Sequence, residues 1–151
     1  MNLKRTVSLP VLCLLLLSMG ACGQSLPEDI ADYRSRCVQM NAAAIPPYDG
    51  DPHRGTKDVF ACNVEAAALR ANQRPFADGT IIVKESTRVG EDFPWLVAVA
   101  RKNGGEWTWA EYTRNFENED LSKLLVPQST CTDCHKAVAA ADWIYTAYTP
   151  R

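Results

Sequence analysis

Histidine and methionine are scarce in this chain, at two and three of 151 residues. Met1 and Met19 fall in the first two dozen residues, which leaves Met40, and the histidines are His53 and His135. There is no basic excess either. The formal net charge is −2 and the two signs are intermixed, so no electrostatic case for nucleic acid exists. The pair Cys131 and Cys134 has no second Cys-x-x-Cys beside it, and a structural zinc site usually takes two such pairs. No internal repeat and no low-complexity stretch interrupts the sequence, and its length suits one domain with one core.

The one long apolar run is near the start. Lys4 and Arg5 precede the apolar residues 7–19, and small residues follow at Gly20, Ala21 and Gly23. That is the layout of an export signal, here residues 1–21, and the run falls short of the about 20 apolar residues that a membrane span needs. "MGAC" resembles the end of a bacterial lipoprotein signal, with Cys22 as the lipidated residue; simple cleavage near Ala21 or Gly23 is the alternative. Either way the mature protein is expected outside the cytoplasm, in a bacterial periplasm. Gly23 after Cys22 points, by the same resemblance, to a tether on the outer membrane.

Ser25, Pro27 and Glu28 read as a helix start, and Ile30, Tyr33, Cys37 and Met40 recur at helical spacing. Residues 22–48 are therefore expected to be an N-terminal helix and linker before a domain at 49–151. Residues 44–55, rich in proline, glycine and aspartate, read as a loop. "KDVFAC" predicts a strand, and Asn63 a cap on a short helix through about Ala71. Residues 79–87, 95–101 and 106–113 read as strands, the last two joined by a hairpin turn at "KNGG". A short helix is predicted after Asp120, broken by Pro127, and a final helix runs to Ala141. The order predicts an α+β fold: a mainly antiparallel sheet with flanking helices.

The final helix opens on "STCTDCHK". A redox dithiol normally opens a helix in a βαβ unit, not near the C-terminus of an antiparallel protein. Cys-x-x-Cys-His is the attachment signature of c-type haem. Its spacing sets two thiols one helical turn apart to join the haem vinyl groups, with the adjacent histidine as axial ligand to iron. A chain of this composition would hold the signature by chance about 0.003 times. Cys131, Cys134 and His135 are thus predicted to hold one covalent haem c. A sixth ligand would have to come from Met40 or His53, so the expected iron is five-coordinate with an open face for small gases or substrates. Cys37 and Cys62 remain, either as a disulfide or as two buried thiols.

With these residues in view, the chain resembles the cytochrome P-460 and cytochrome c′-beta family. The likeness spans about residues 49–148 and rests on "HRGTKDVFACN", "FADGTIIVKES", "WLVAVARKNGGEWTW" and "CTDCHKAVAAADWIYT". It implies an antiparallel sheet with flanking helices and a homodimer. It also implies one of two activities. In the enzymes of the family a lysine is linked to the haem edge and hydroxylamine is oxidised; that lysine matches Lys84, a candidate catalytic and cofactor-binding residue, whose bland alternative is a solvated strand position. In the gas-binding class an apolar pocket takes nitric oxide or carbon monoxide. The family's catalytic glutamate aligns with Val97, and residues 93–105 contain no acid. An apolar wall of Val97 with Phe60, Phe76 or Phe93 is therefore expected, with Glu91 or Asp92 as the nearest acids. The reading is an exported haem protein that binds a small gas or small nitrogen compound, ahead of a hydroxylamine oxidoreductase and a plain electron carrier served by a redox partner protein.

Overall fold

The computed structural model describes residues 25–150; the residues read as an export signal and Cys22 lie outside them. The core of the architecture is a six-stranded sheet whose strands follow chain order: β1 (Val38–Gln39), β2 (Thr56–Cys62), β3 (Ile81–Thr87), β4 (Pro94–Asn103), β5 (Glu106–Thr113) and β6 (Ser122–Leu124). Every neighbouring pair is antiparallel. Three short helices complete it: α1 (Tyr33–Arg36), α2 (Ala66–Arg70) and α3 (Gln128–His135), the last continued by a 3-10 stretch over Lys136–Ala141. The protein is thus α+β, mainly antiparallel sheet.

Side chains on a strand alternate between faces, so the register defines two different surfaces. One carries Phe60, Val83, Val97, Val99 and Tyr112, closed over by Ile30 and Tyr33 from the N-terminal segment. The other carries Val59, Ala61, Ile82 and Ala100, covered by Met40, Leu69, Phe76 and Ile144. The β4–β5 hairpin turns through Gly104 (φ 60) and Gly105 (φ 80), the two positive angles that a tight two-residue hairpin loop requires.

The N-terminal segment differs from the expected long helix. The chain is helical only as a 3-10 turn at Glu28–Ile30 and as α1, then extends into β1, which pairs with β2. Met40 is fully buried, but through strand-like packing beside Val59 rather than on a helix face. A disulfide between Cys37 and Cys62 ties this segment to the sheet. Asn63 is not a helix cap: it takes a left-handed angle (φ 55), and α2 begins three residues later. The helix predicted after Asp120 is the edge strand β6, where pairing with β5 overrides the helix preference of Leu and Lys.

The proline-rich loop is held firmly over the sheet. Lys57 forms a buried ion pair with Asp51 and donates to the carbonyl of Gly55 (2.8 Å). Ser86 donates to the carbonyl of His53 (2.5 Å) and shares its hydroxyl with that of Arg54. Gly55 sits at φ +94 with Thr87 O only 2.2 Å from where a Cβ would stand, so this crossing excludes any side chain.

Candidate functional site

Antiparallel register lays Val59, Lys84, Ala98 and Glu111 in one row across β2–β5, with Ala61, Ile82, Ala100 and Trp109 in the row beside it. The two alanines leave a hollow where larger neighbours would fill it. Against this hollow stand α3 and the chain that follows it, enclosing a cavity of about 320 Å³. Its walls include Lys84, Ala98, Glu111, Cys131, Cys134 and His135, with His53 and Pro52 closing one side. A second hollow of about 690 Å³ adjoins it and shares His53, Lys84, Cys134 and His135.

The haem-motif residues are fixed from both sides. Pro127 precedes α3, and Gln128 in its first turn brackets β5: its Oε1 accepts from Trp109 N–H (2.8 Å) and its Nε2 donates to Trp109 O (2.6 Å). Cys131 and Cys134 stand one turn apart on α3, both as free thiols. Burial, then the nearby Glu111 charge, pushes the Cys131 thiol up. His135 Nδ1 lies 2.6 Å from Trp143 O; a carbonyl only accepts, so Nδ1 carries the proton and Nε2 presents its lone pair. The ring packs on Trp109 (centroids 4.2 Å) and edge-on to Tyr145 (5.2 Å). Burial pushes the imidazolium down, against the pull of the Trp143 carbonyl, which favours the neutral ring that binds metals.

Lys84 and His53, both candidates from the sequence, meet Glu111, which sequence reasoning missed, at the same space. Lys84 Nζ is 2.8 Å from His53 Nδ1, and His53 Nε2 is 3.2 Å from Glu111 Oε1. A neutral ring that donates Nε2–H to the carboxylate accepts at Nδ1 from the amine. Burial pushes the Lys84 ammonium down to about 8, against the attraction of Asp51 and Glu111. The hydrogen bond from His53 holds Glu111 below the usual carboxylate range despite its burial. The signal for Glu111 was present in the alternation of β5, where it stands two residues after Trp109 and hence on the same face. Nothing local in "DPHRG" announces that the loop folds back over the sheet.

Val97 is not in this site. It pairs with Glu85 and Tyr112 on the opposite face and is fully buried in the closed cluster there. Neighbouring strand residues face opposite ways, and Ala98 is the cavity position beside Lys84. None of the expected phenylalanines lines the cavity: Phe60 packs on the Val97 face, Phe76 sits beside Trp107, and Phe93 lies against Arg114, while Val59, Ile82, Ala98, Ala100 and Ile144 supply its apolar wall. Glu91 bonds Arg88 (3.5 Å), and neither it nor Asp92 borders the cavity. Met40 is also outside it.

The donor set fits a covalently held haem better than a bare ion. Two unpaired thiols one turn apart, a histidine with free Nε2 and a partly apolar hollow converge, while among the described residues no three His, Cys, Asp or Glu side chains gather closely enough to hold a metal ion by themselves. No protein-family model and no curated protein matches the chain.

Proposed function

We propose that this is an exported mono-haem c-type protein whose haem is joined to Cys131 and Cys134, with His135 as the proximal ligand and the opposite coordination position open to nitric oxide or another small nitrogen compound. The observation that carries the proposal is the set of two free thiols and a histidine oriented through Nδ1, all at the wall of one cavity. Haem there would supply a binding site for a small ligand and one-electron redox chemistry. The two candidate sixth ligands are otherwise engaged: Met40 is buried away from the cavity, and both ring nitrogens of His53 face partners. The Cys37–Cys62 bridge agrees with an oxidising compartment such as the periplasm, where c-type haem is attached in bacteria. The optical spectrum of the ferrous, periplasmically matured protein tests this. A high-spin, five-coordinate form that binds nitric oxide is expected; a low-spin six-coordinate form points to an electron carrier and overturns it.

A specific observation favours a second reading, hydroxylamine oxidation with Lys84 at the haem edge as the family resemblance implies. The expected lack of a proton acceptor rested on an apolar wall, and Lys84, His53 and Glu111 stand at that wall instead. Glu111, held ionised by the bond from His53, is a carboxylate able to accept a proton from a bound substrate, and His53 orients it. Steady hydroxylamine turnover with a chemical electron acceptor, lost at least tenfold in Glu111→Gln, would select this reading over simple gas binding; no turnover in the wild type would remove it.

A further inference from the structure

We infer that Asp142 is the positioning residue for the histidine ligand, holding the strap whose carbonyl fixes the His135 ring. This rests on the reading of His135 as an iron ligand. After the 3-10 stretch the chain reverses through two consecutive left-handed residues, Asp142 (φ 56) and Trp143 (φ 66). Neither is glycine, and for a bulky tryptophan that angle is an outlier that persists only where the surroundings impose it. What imposes it is visible. The Asp142 carboxylate accepts from Lys102 Nζ at both oxygens (2.6 and 2.5 Å), from Phe76 N–H (2.7 Å) and from Trp107 Nε1–H (3.3 Å). Lys102 and Asp142 are nearly enclosed, with side-chain exposures of 5% and 11%. Four donor contacts from β4, β5 and the segment before β3 thus converge on one carboxylate. They set the reversal that turns Trp143 O back towards a ring eight residues earlier.

Nothing in chain folding alone requires that grip to end at a histidine. The reversal also leads into Ile144, which is buried among Met40, Val59 and Leu69. The reversal instead delivers one carbonyl to Nδ1, and a ligand histidine whose Nδ1–H is bonded in this way is both oriented and made a stronger donor to its metal. The hairpin end of β4 and β5, which contributes Lys102 and Trp107, therefore acts on the His135 ring through Asp142, in addition to the direct packing of Trp109.

The test uses the full, matured, haem-loaded chain. Asp142→Asn keeps the size and the tolerance of a left-handed angle but removes the charge that holds Lys102. The iron–histidine stretching band of the ferrous protein is expected to move to lower frequency and the reduction potential to rise, because a loosened carbonyl leaves Nδ1–H more weakly bonded. A purely structural role would lower resistance to urea and leave both readouts unchanged; that result, in a variant that still carries haem, overturns the inference. If Asp142→Asn does not mature, Trp107→Phe removes one donor while keeping ring bulk, and a smaller shift of the same sign is expected; no shift there would overturn it as well. A matured wild type without any iron–histidine band would instead overturn the haem reading, and this inference with it.

Discussion

The two faces of the sheet are built from alternate residues of the same strands, yet they do opposite things with polarity. On the Val97 face the acid Glu85 is consumed locally: the Tyr33 hydroxyl donates to it, and Arg34 Nε bonds it at 2.7 Å. Burial, then the bond to Glu85, pushes the Tyr33 hydroxyl well above its ordinary value, so it remains a donor. On that face the disulfide ties the N-terminal segment over a closed apolar cluster. On the other face, one residue along each strand, Lys84 and Glu111 are joined through a histidine from a distant loop and still border open space. Both faces partner their buried polar groups, but only on the cavity face do such groups also border a hollow beside free thiols.

The comparison breaks most sharply if the faces can be exchanged. Val97→Glu sets an unpaired carboxylate into a closed apolar cluster and should cost about 3–5 kcal/mol in urea unfolding, whereas Ala98→Glu, facing the cavity, should cost about 1 kcal/mol. Equal costs would contradict the assignment of faces. Next in size is the seal itself. Replacing Cys37 and Cys62 with alanine opens a bridge spanning 25 residues and should remove about 3 kcal/mol of stability, read from the same unfolding curves. Tyr33→Phe leaves Glu85 one donor short and should cost about 1–2 kcal/mol without altering ligand binding.

The smallest effect belongs to the cavity face and changes with pH. In a Cys131→Ser/Cys134→Ser chain, which cannot form the thioethers, Lys84→Met should stabilise near neutral pH by about 1 kcal/mol net, since relief of the buried ammonium is offset by the lost bond to His53. The sign follows from burial: the folded chain holds Lys84 at about 8, below its unfolded value of about 10.4. The penalty is complete below pH 8 and disappears as pH rises through that window, because the unfolded state there binds the extra proton. Wild type and variant should therefore converge in stability towards alkaline pH. A constant gap would mean that the lysine titrates normally.

The sheet was legible in the sequence because its signals are local. β-branched alternation in residues 79–87 and aromatic alternation in 106–113 give the right strands, and "NGG" the right hairpin. What misled was decided at a distance. Cys37 and Met40 continue a helical spacing by coincidence, since pairing with β2 draws the chain into β1. Leu121 to Leu125 favours a helix until the open edge of β5 claims it. At the site, Cys131, Cys134, His135 and Lys84 share one cavity as their sequence patterns suggested, while Val97 does not, since it points to the opposite face from its neighbour Ala98. His53 was considered only as a ligand to iron. Its place between Lys84 and Glu111 depends on the Lys57–Asp51 and Ser86 contacts that pin its loop, which no local pattern encodes.

The most direct test of the central claim is peptide mass analysis of the protein matured in a bacterial periplasm. The account predicts a single haem carried by the peptide containing Cys131 and Cys134, with Cys37 and Cys62 recovered as a bridge. Free thiols at both Cys131 and Cys134 in that material would contradict it.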